Sequence, residues 1–340
     1  MKIIKKIFLC LIFIGVPYLL TAKQLVIKMA TLAPEGSPWH EILVEMGQQW
    51  KEVTDGEVIL RIYPGGVAGD EQDMIRKIRI GQIHAAAVTI EGMTVISAKM
   101  NVFFIPLLVE SLEELDYIRA GLLPELNTDV KRNGFKILTW ADVGWVYWFT
   151  DEQIILPQAL QKKKLFTWAG DYHSLRLWKK AGYHPIPLAA TDILPSLQTG
   201  MINAISTNPI VALSSQWFTH TPHMLDLKWG CIIGALVISN NVWQRIPVEY
   251  QSVLLEIAEE TGIKVREIIP TVDRALDVMG EHGLQIHSLS PEEKEEWIRI
   301  TKSFYPYIRG SLVPEEIFDK AIKLKEEFTT LKPKTKNPPN

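Results

Sequence analysis

Residues 58–88 read VILRIYPGGVAGDEQDMIRKIRIGQIHAAAV, and the signals in them come in the order strand, turn, helix, strand. Val58 to Tyr63 is β-branched and apolar, Pro64-Gly65-Gly66 breaks the chain, and Asp70 to Ile80 has helical spacing. Ala85 to Val88 then returns as a short buried strand. Strands alternating with helices at this spacing predict an α/β fold with a mostly parallel sheet.

The alternation extends both ways along the chain. Upstream, Leu25 to Ala30 reads as a strand, and Trp39 to Val53 as a helix with Ile42, Leu43, Met46, Trp50 and Val53 on one face. Downstream, Leu112 to Lys131 reads as a helix, and Phe135 to Trp140 and Trp145 to Phe149 as two strands. The rhythm then restarts, with strands at Lys164 to Trp168, His184 to Pro187 and Ala204 to Ser206, and helices at Tyr172 to Ala181 and Asp192 to Gln198. A second α/β unit is therefore expected from near residue 147. From Pro247 to Met279 one helical pattern, interrupted by Gly262 and Pro270, is long enough to cross from one unit to the other. Pro291 to Leu324 is mostly helical, and the Lys/Pro/Asn stretch 332–340 is expected to be a disordered tail.

A chain of 340 residues, 47% hydrophobic and 22% charged, is long enough for two domains and excludes both disorder and a disulfide-stapled scaffold. Lys2, Lys5 and Lys6 precede an uncharged run from Ile7 to Leu20 that ends in Thr21 and Ala22, the order of a secretory signal over residues 1–22. Cleavage is expected after Ala22, the alternative being an uncleaved N-terminal anchor. Without that segment, 33 basic residues face 39 acidic ones, and this net charge of −6 carries no nucleic-acid footprint. Cys231 is then the one cysteine left; in the apolar run Cys231-Ile232-Ile233 it reads as a buried structural thiol, not a nucleophile. The eleven tryptophans are the compositional surplus to explain.

No GxSxG elbow, HExxH, Walker loop or GxGxxG occurs, and no cofactor or metal set is expected. His220 and His223 flank a proline and lack a third ligand at a usual spacing, so they read as surface residues. Gly65 to Gly69 before a helix resembles an anion cradle. Asp70, Glu71 and Asp73 crowd that helix start with negative charge, which favours a turn followed by helix-capping acids.

Taken in order, these pieces resemble the solute-binding proteins of TRAP transporters, the DctP-like periplasmic receptors. The resemblance rests on Tyr63-Pro64-Gly65-Gly66, Gly69-Asp70-Glu71, Ile80-Gly81-Gln82-Ile83, Phe104-Ile105-Pro106 and Gly134-Phe135-Lys136-Ile137-Leu138. It continues through Lys163-Lys164-Leu165, Gly182-Tyr183-His184-Pro185-Ile186-Pro187, Leu197-Gln198-Thr199-Gly200-Met201-Ile202, and Asn241-Val242-Trp243 with Ile246-Pro247 and Tyr250-Gln251. It implies a two-lobed periplasmic receptor with a central sheet in each lobe and a long helix spanning both. The first lobe would take residues 24–146 and 231–270, the second 147–230 and 271–331. The implied partners are a small-molecule ligand and TRAP membrane subunits, and some unusual receptors of this kind also use a periplasmic tetratricopeptide-repeat protein. The rival classes are an exported α/β enzyme and a ligand-sensing or structural surface module.

Where most members read Lys-Ile-Arg, this chain reads Lys164-Leu165-Phe166, and Phe166 cannot fork a carboxylate as the Arg does. A second basic position of acid-binding members falls within Trp145-Val146-Tyr147, again without charge. The resemblance places Thr31 and Thr89 at first-lobe ligand positions, and the family's polar Asn at Thr207 or, with a one-residue slip, at Asn208. Strand parity puts Trp145 with Tyr147 and Phe166 with Trp168. An aromatic cleft with a few hydroxyls suits a hydrophobic or amphipathic ligand. The expected ligand-binding residues are thus Thr31, Thr89, Trp145, Tyr147, Phe166, Trp168, Thr207 and Asn208, whereas Trp50, Trp178 and Trp297 are expected to be helix packing.

Overall fold

Nine strands form one mixed sheet in a computed structural model that describes residues 24–331. The expected signal at 1–22 and tail at 332–340 lie outside the described residues. The strands are β1 (Leu25–Thr31), β2 (Val58–Tyr63), β3 (Ala85–Thr89), β4 (Phe135–Thr150), β5 (Lys164–Trp168), β6 (His184–Leu188), β7 (Ala204–Thr207), β8 (His223–Ser239) and β9 (Gln285–His287). Their spatial order is β2-β1-β3-β8-β4-β7-β5-β6, with β9 against β8. β1 runs parallel to β2 and β3, and β5 parallel to β6 and β7, so each lobe has its own parallel group. Between the groups lie the antiparallel β4 and β8, the two long strands that belong to both lobes. His184–Leu188, with Pro185 and Pro187, takes the sheet edge, where a missing ladder donor is tolerated.

Two expectations change. Phe135 to Trp140 and Trp145 to Phe149 are one strand, not two: Gly144, at φ +125°, lets the chain bulge and continue, with the register to β8 shifting beside it. The helical pattern from 247 to 279 is divided into a helix at Val248–Arg266, a 3-10 turn at Ile269–Thr271 and a helix at Val272–Glu281. The break comes at Pro270, which lacks a backbone donor, and not at Gly262. A Cβ on Gly262 would collide with the Trp140 carbonyl oxygen, so glycine lets this helix lie against β4.

Packing follows the lobes. Trp50 is fully buried in the first, and its indole N–H donates to the Leu254 carbonyl at 3.2 Å, joining helix Pro38–Val53 to helix Val248–Arg266. Trp148 and Trp297 are buried together in the second, with Trp297 donating to the Ile155 carbonyl at 2.7 Å. Behind the bulge, Arg119 makes two hydrogen bonds to the buried Asp142 at 2.6 and 3.0 Å, and Arg266 makes two to Asp116 at 2.8 Å. Helix Leu112–Arg132, β4 and the end of helix Val248–Arg266 are thereby tied at the crossing point.

Candidate ligand cleft

The parallel strands of both lobes end at one cavity of about 850 Å³. Thr31 closes β1, Thr89 closes β3, Trp168 closes β5 and Thr207 closes β7; all four border the cavity. Ligand sites of open α/β sheets form at such carboxyl ends, where the chain leaves the sheet and side chains converge. The turn after β2 contributes Gly65 and Gly66, both at positive φ, whose amides donate to the carbonyls of Ala33 and Thr31 at 2.9 and 3.1 Å. This turn is fastened to the protein's own backbone.

Of the eight residues expected at the site, Thr31, Thr89, Phe166, Trp168 and Thr207 line the cavity. Phe166 and Trp168 meet edge to face, ring centres 4.9 Å apart. The hydroxyl of Thr31 accepts from the Ala33 amide at 3.1 Å, and that of Thr89 donates to Glu71 at 2.8 Å. The hydroxyl of Thr207 has no hydrogen-bond partner among the described residues.

Trp145, Tyr147 and Asn208 are not brought to the cavity wall. The continuous, bulged β4 points Val143 and Val146 inward instead, leaving Trp145 and Tyr147 on the opposite face. There the Lys228 ammonium lies 4.6 Å from the Trp145 ring centre, and burial, with Asp226 and Asp273 nearby, pushes the Tyr147 hydroxyl up to about 12. Asn208 is fully buried: it accepts from the Ile210 amide at 2.8 Å and donates to the carbonyls of Val143 and Trp145. It holds the bulge, and a Cβ on Gly144 would come 2.7 Å from its amide nitrogen.

Other wall residues were not expected. Trp178, read from the sequence as helix packing, is half-buried on the wall, because helix Tyr172–Lys180 buries none of its residues and covers the cavity only lightly. Trp229 stacks on it at 6.3 Å, and Trp217, Phe103 and Phe104 add to the aromatic surface. Glu91 was also missed, although a lone acid in the apolar run from Ala85 to Met93 is the signal that marks it.

A scan against protein families matches residues 29–310 to the bacterial extracellular solute-binding proteins of family 7. The chain belongs to this family. It is 22% identical over 255 residues to a solute-binding protein of Roseobacter denitrificans, covering 70% of this chain and 73% of that one. In fold it is similar to a TRAP periplasmic solute-binding protein of Ralstonia eutropha with bound (S)-2-acetolactate, at TM-score 0.82 and 18% identity over 89% of this chain and 99% of that one. A second such structure, from Shewanella oneidensis with bound succinate, matches at TM-score 0.81 and 16% identity, again over 89% and 99%. The molecule is an extracellular solute-binding protein of family 7, similar in fold to these TRAP periplasmic receptors, and no helix among its described residues is long and apolar enough to cross a membrane.

The electrostatics of this receptor's cleft are one-sided. No Lys, Arg or His lines the cavity among the described residues, whereas Asp70, Glu71, Asp73, Glu91 and Asp171 do. Glu71, expected as a helix-capping acid, turns away from its helix. It is 4% exposed and accepts from the Thr89 and Gly92 amides at 2.9 Å as well as from the Thr89 hydroxyl. Burial still raises its pKa against those bonds. Asp70 makes no capping bond either; its carboxylate accepts from the Ala190 amide of the second lobe at 3.3 Å. Cys231 borders the cavity, and burial pushes its thiol up to about 12, so the thiolate a nucleophile needs does not form at neutral pH.

Proposed function

We propose that this receptor captures a largely apolar or amphipathic small molecule in the cleft between its lobes and delivers it to TRAP membrane subunits. The observation that carries the reading is the cavity wall: aromatic rings and acids, with no basic side chain among the described residues. A carboxylate in this cavity would meet Phe166 where the family resemblance implies a guanidinium. Losing a buried charge partner costs roughly 3–5 kcal/mol, a loss of hundreds-fold or more in affinity. The solved relatives from Ralstonia and Shewanella hold acids; the absence of a clamp here supports a different ligand.

Native mass spectrometry of protein taken from its natural host tests this. A co-purifying apolar or amphipathic molecule is the expected result, and a dicarboxylate or sugar acid would overturn it. The proposal extends to a cleaved export signal at 1–22 and to lobe boundaries near residues 147 and 230, supported by the register shift in β4 between Val146 and Trp148. Association with a periplasmic tetratricopeptide-repeat protein belongs to the same proposal and rests on the altered cleft alone; co-purification tests it.

A further inference from the structure

Glu91 gives the proposed ligand a second property, and this step rests on the apolar reading above. Its side chain borders the cavity yet is 4% exposed. Oε1 accepts from the Gln72 amide at 2.6 Å, and Oε2 has no hydrogen-bond partner among the described residues. Arg76 reaches only the far end of Gln72, at 3.4 Å, so the positive charge stays one amide away. The charged groups that act most strongly on Glu91 are acids: Asp171 from the second lobe, and Glu71 and Asp70 from the first.

A buried carboxyl with a free oxygen and no cation, inside a wall of aromatic rings, matches one ligand chemistry well. An ammonium group offers N–H donors to the oxygen, and the faces of aromatic rings attract the same positive charge. We propose that the cavity takes an amphipathic organic cation, a protonated amine on an apolar body, with Glu91 as the partner of the ammonium. Phe166, Trp168, Trp178 and Trp229 would then cover the apolar body. Burial, and after it the charge of Asp171, pushes Glu91 up to about 8, so the empty cleft holds a proton there at neutral pH. The amine arrives already protonated, and the carboxyl proton leaves to solvent as the ion pair forms.

Three probes with the same chain separate the possibilities by calorimetric titration: decylamine, decanol and decanoate. Decylamine is expected to bind about ten-fold or more tightly than decanol. Its titrations in buffers of different ionisation enthalpy should show a proton released at neutral pH, which decanol should not. Glu91→Gln should bring decylamine down to the affinity of decanol, and the proton count on the unaltered protein provides the result should that variant fold poorly. Equal binding of decylamine and decanol with no proton released overturns the cation while leaving the apolar cleft intact. Tightest binding of decanoate, or no binding of any probe, overturns both.

Discussion

The two walls of the cleft are built on different principles. The first lobe brings Asp70, Glu71, Asp73 and Glu91 to the cavity from the turn after β2 and the chain after β3. The second brings Phe166, Trp168, Trp178, Tyr183, Trp217 and Trp229, with Asp171 its one carboxylate among the described residues. On the first wall, Asp70 and Glu71 accept from backbone amides, Glu91 from the Gln72 side chain and Asp73 from Arg76, whereas the aromatics of the second rest mainly on each other. The first wall therefore concentrates the charge, and the second supplies most of the aromatic area, to which Trp39, Phe103 and Phe104 of the first lobe add their share.

The sharpest way to break this contrast is to titrate it. Glu91 holds its proton up to about pH 8 when folded but only to about 4.5 when unfolded, so between those values the folded state binds more protons. Stability should therefore fall as pH rises from about 4.5 to about 8 and level off above, by on the order of 4 kcal/mol from this group. Thermal melts across that range should show the slope, and Glu91→Gln should flatten it; an unchanged slope in the variant would place the proton elsewhere. Glu71→Ala comes next. It strips the partners from two amides and a hydroxyl and should cost about 3 kcal/mol by urea unfolding, so a harmless substitution would mean that the first wall's acids are not part of its frame.

On the second wall, Trp178→Ala removes a half-buried ring that contacts Trp148, Tyr183 and Trp229. About 2 kcal/mol of stability should be lost, less than for a fully buried ring, and the binding of Nile red should weaken about ten-fold. Thr207→Val should be the mildest change. Its hydroxyl bonds to no other described residue, so stability should move by less than about 0.5 kcal/mol. A loss of affinity for the native ligand in that variant, read by calorimetry, would mark the hydroxyl as a ligand contact.

Much of this contrast is legible along the chain. Phe166 and Trp168 stand two apart in a five-residue strand and reach the wall together. Thr31 and Thr89 end the first and third strands, where an α/β sheet opens its site. Trp145 and Tyr147 have the same two-residue spacing and lie on the other face, because Gly144 carries β4 through a bulge that a pattern of two separate strands does not contain. Trp178 has helical spacing and reads as packing, yet its helix lies over a cavity. Glu71 sits at a helix start, where capping is the ordinary role of an acid; Thr89 and Gly92, 18 and 21 residues further on, draw it inward instead.

Periodicity and turn chemistry were enough to read an α/β chain in two units, and composition to show its surplus of tryptophan, because those signals are local and repeat every few residues; that Phe166 stands in place of a charged clamp was implied by the family resemblance. Which aromatics meet the ligand space, and which acid stands there without a cation, followed from the bulge, the crossing of β4 and β8 and the approach of the two lobes. Those are contacts between residues far apart in the chain, and in an enclosed, weakly polar space they set both the direction of a side chain and the charge it carries.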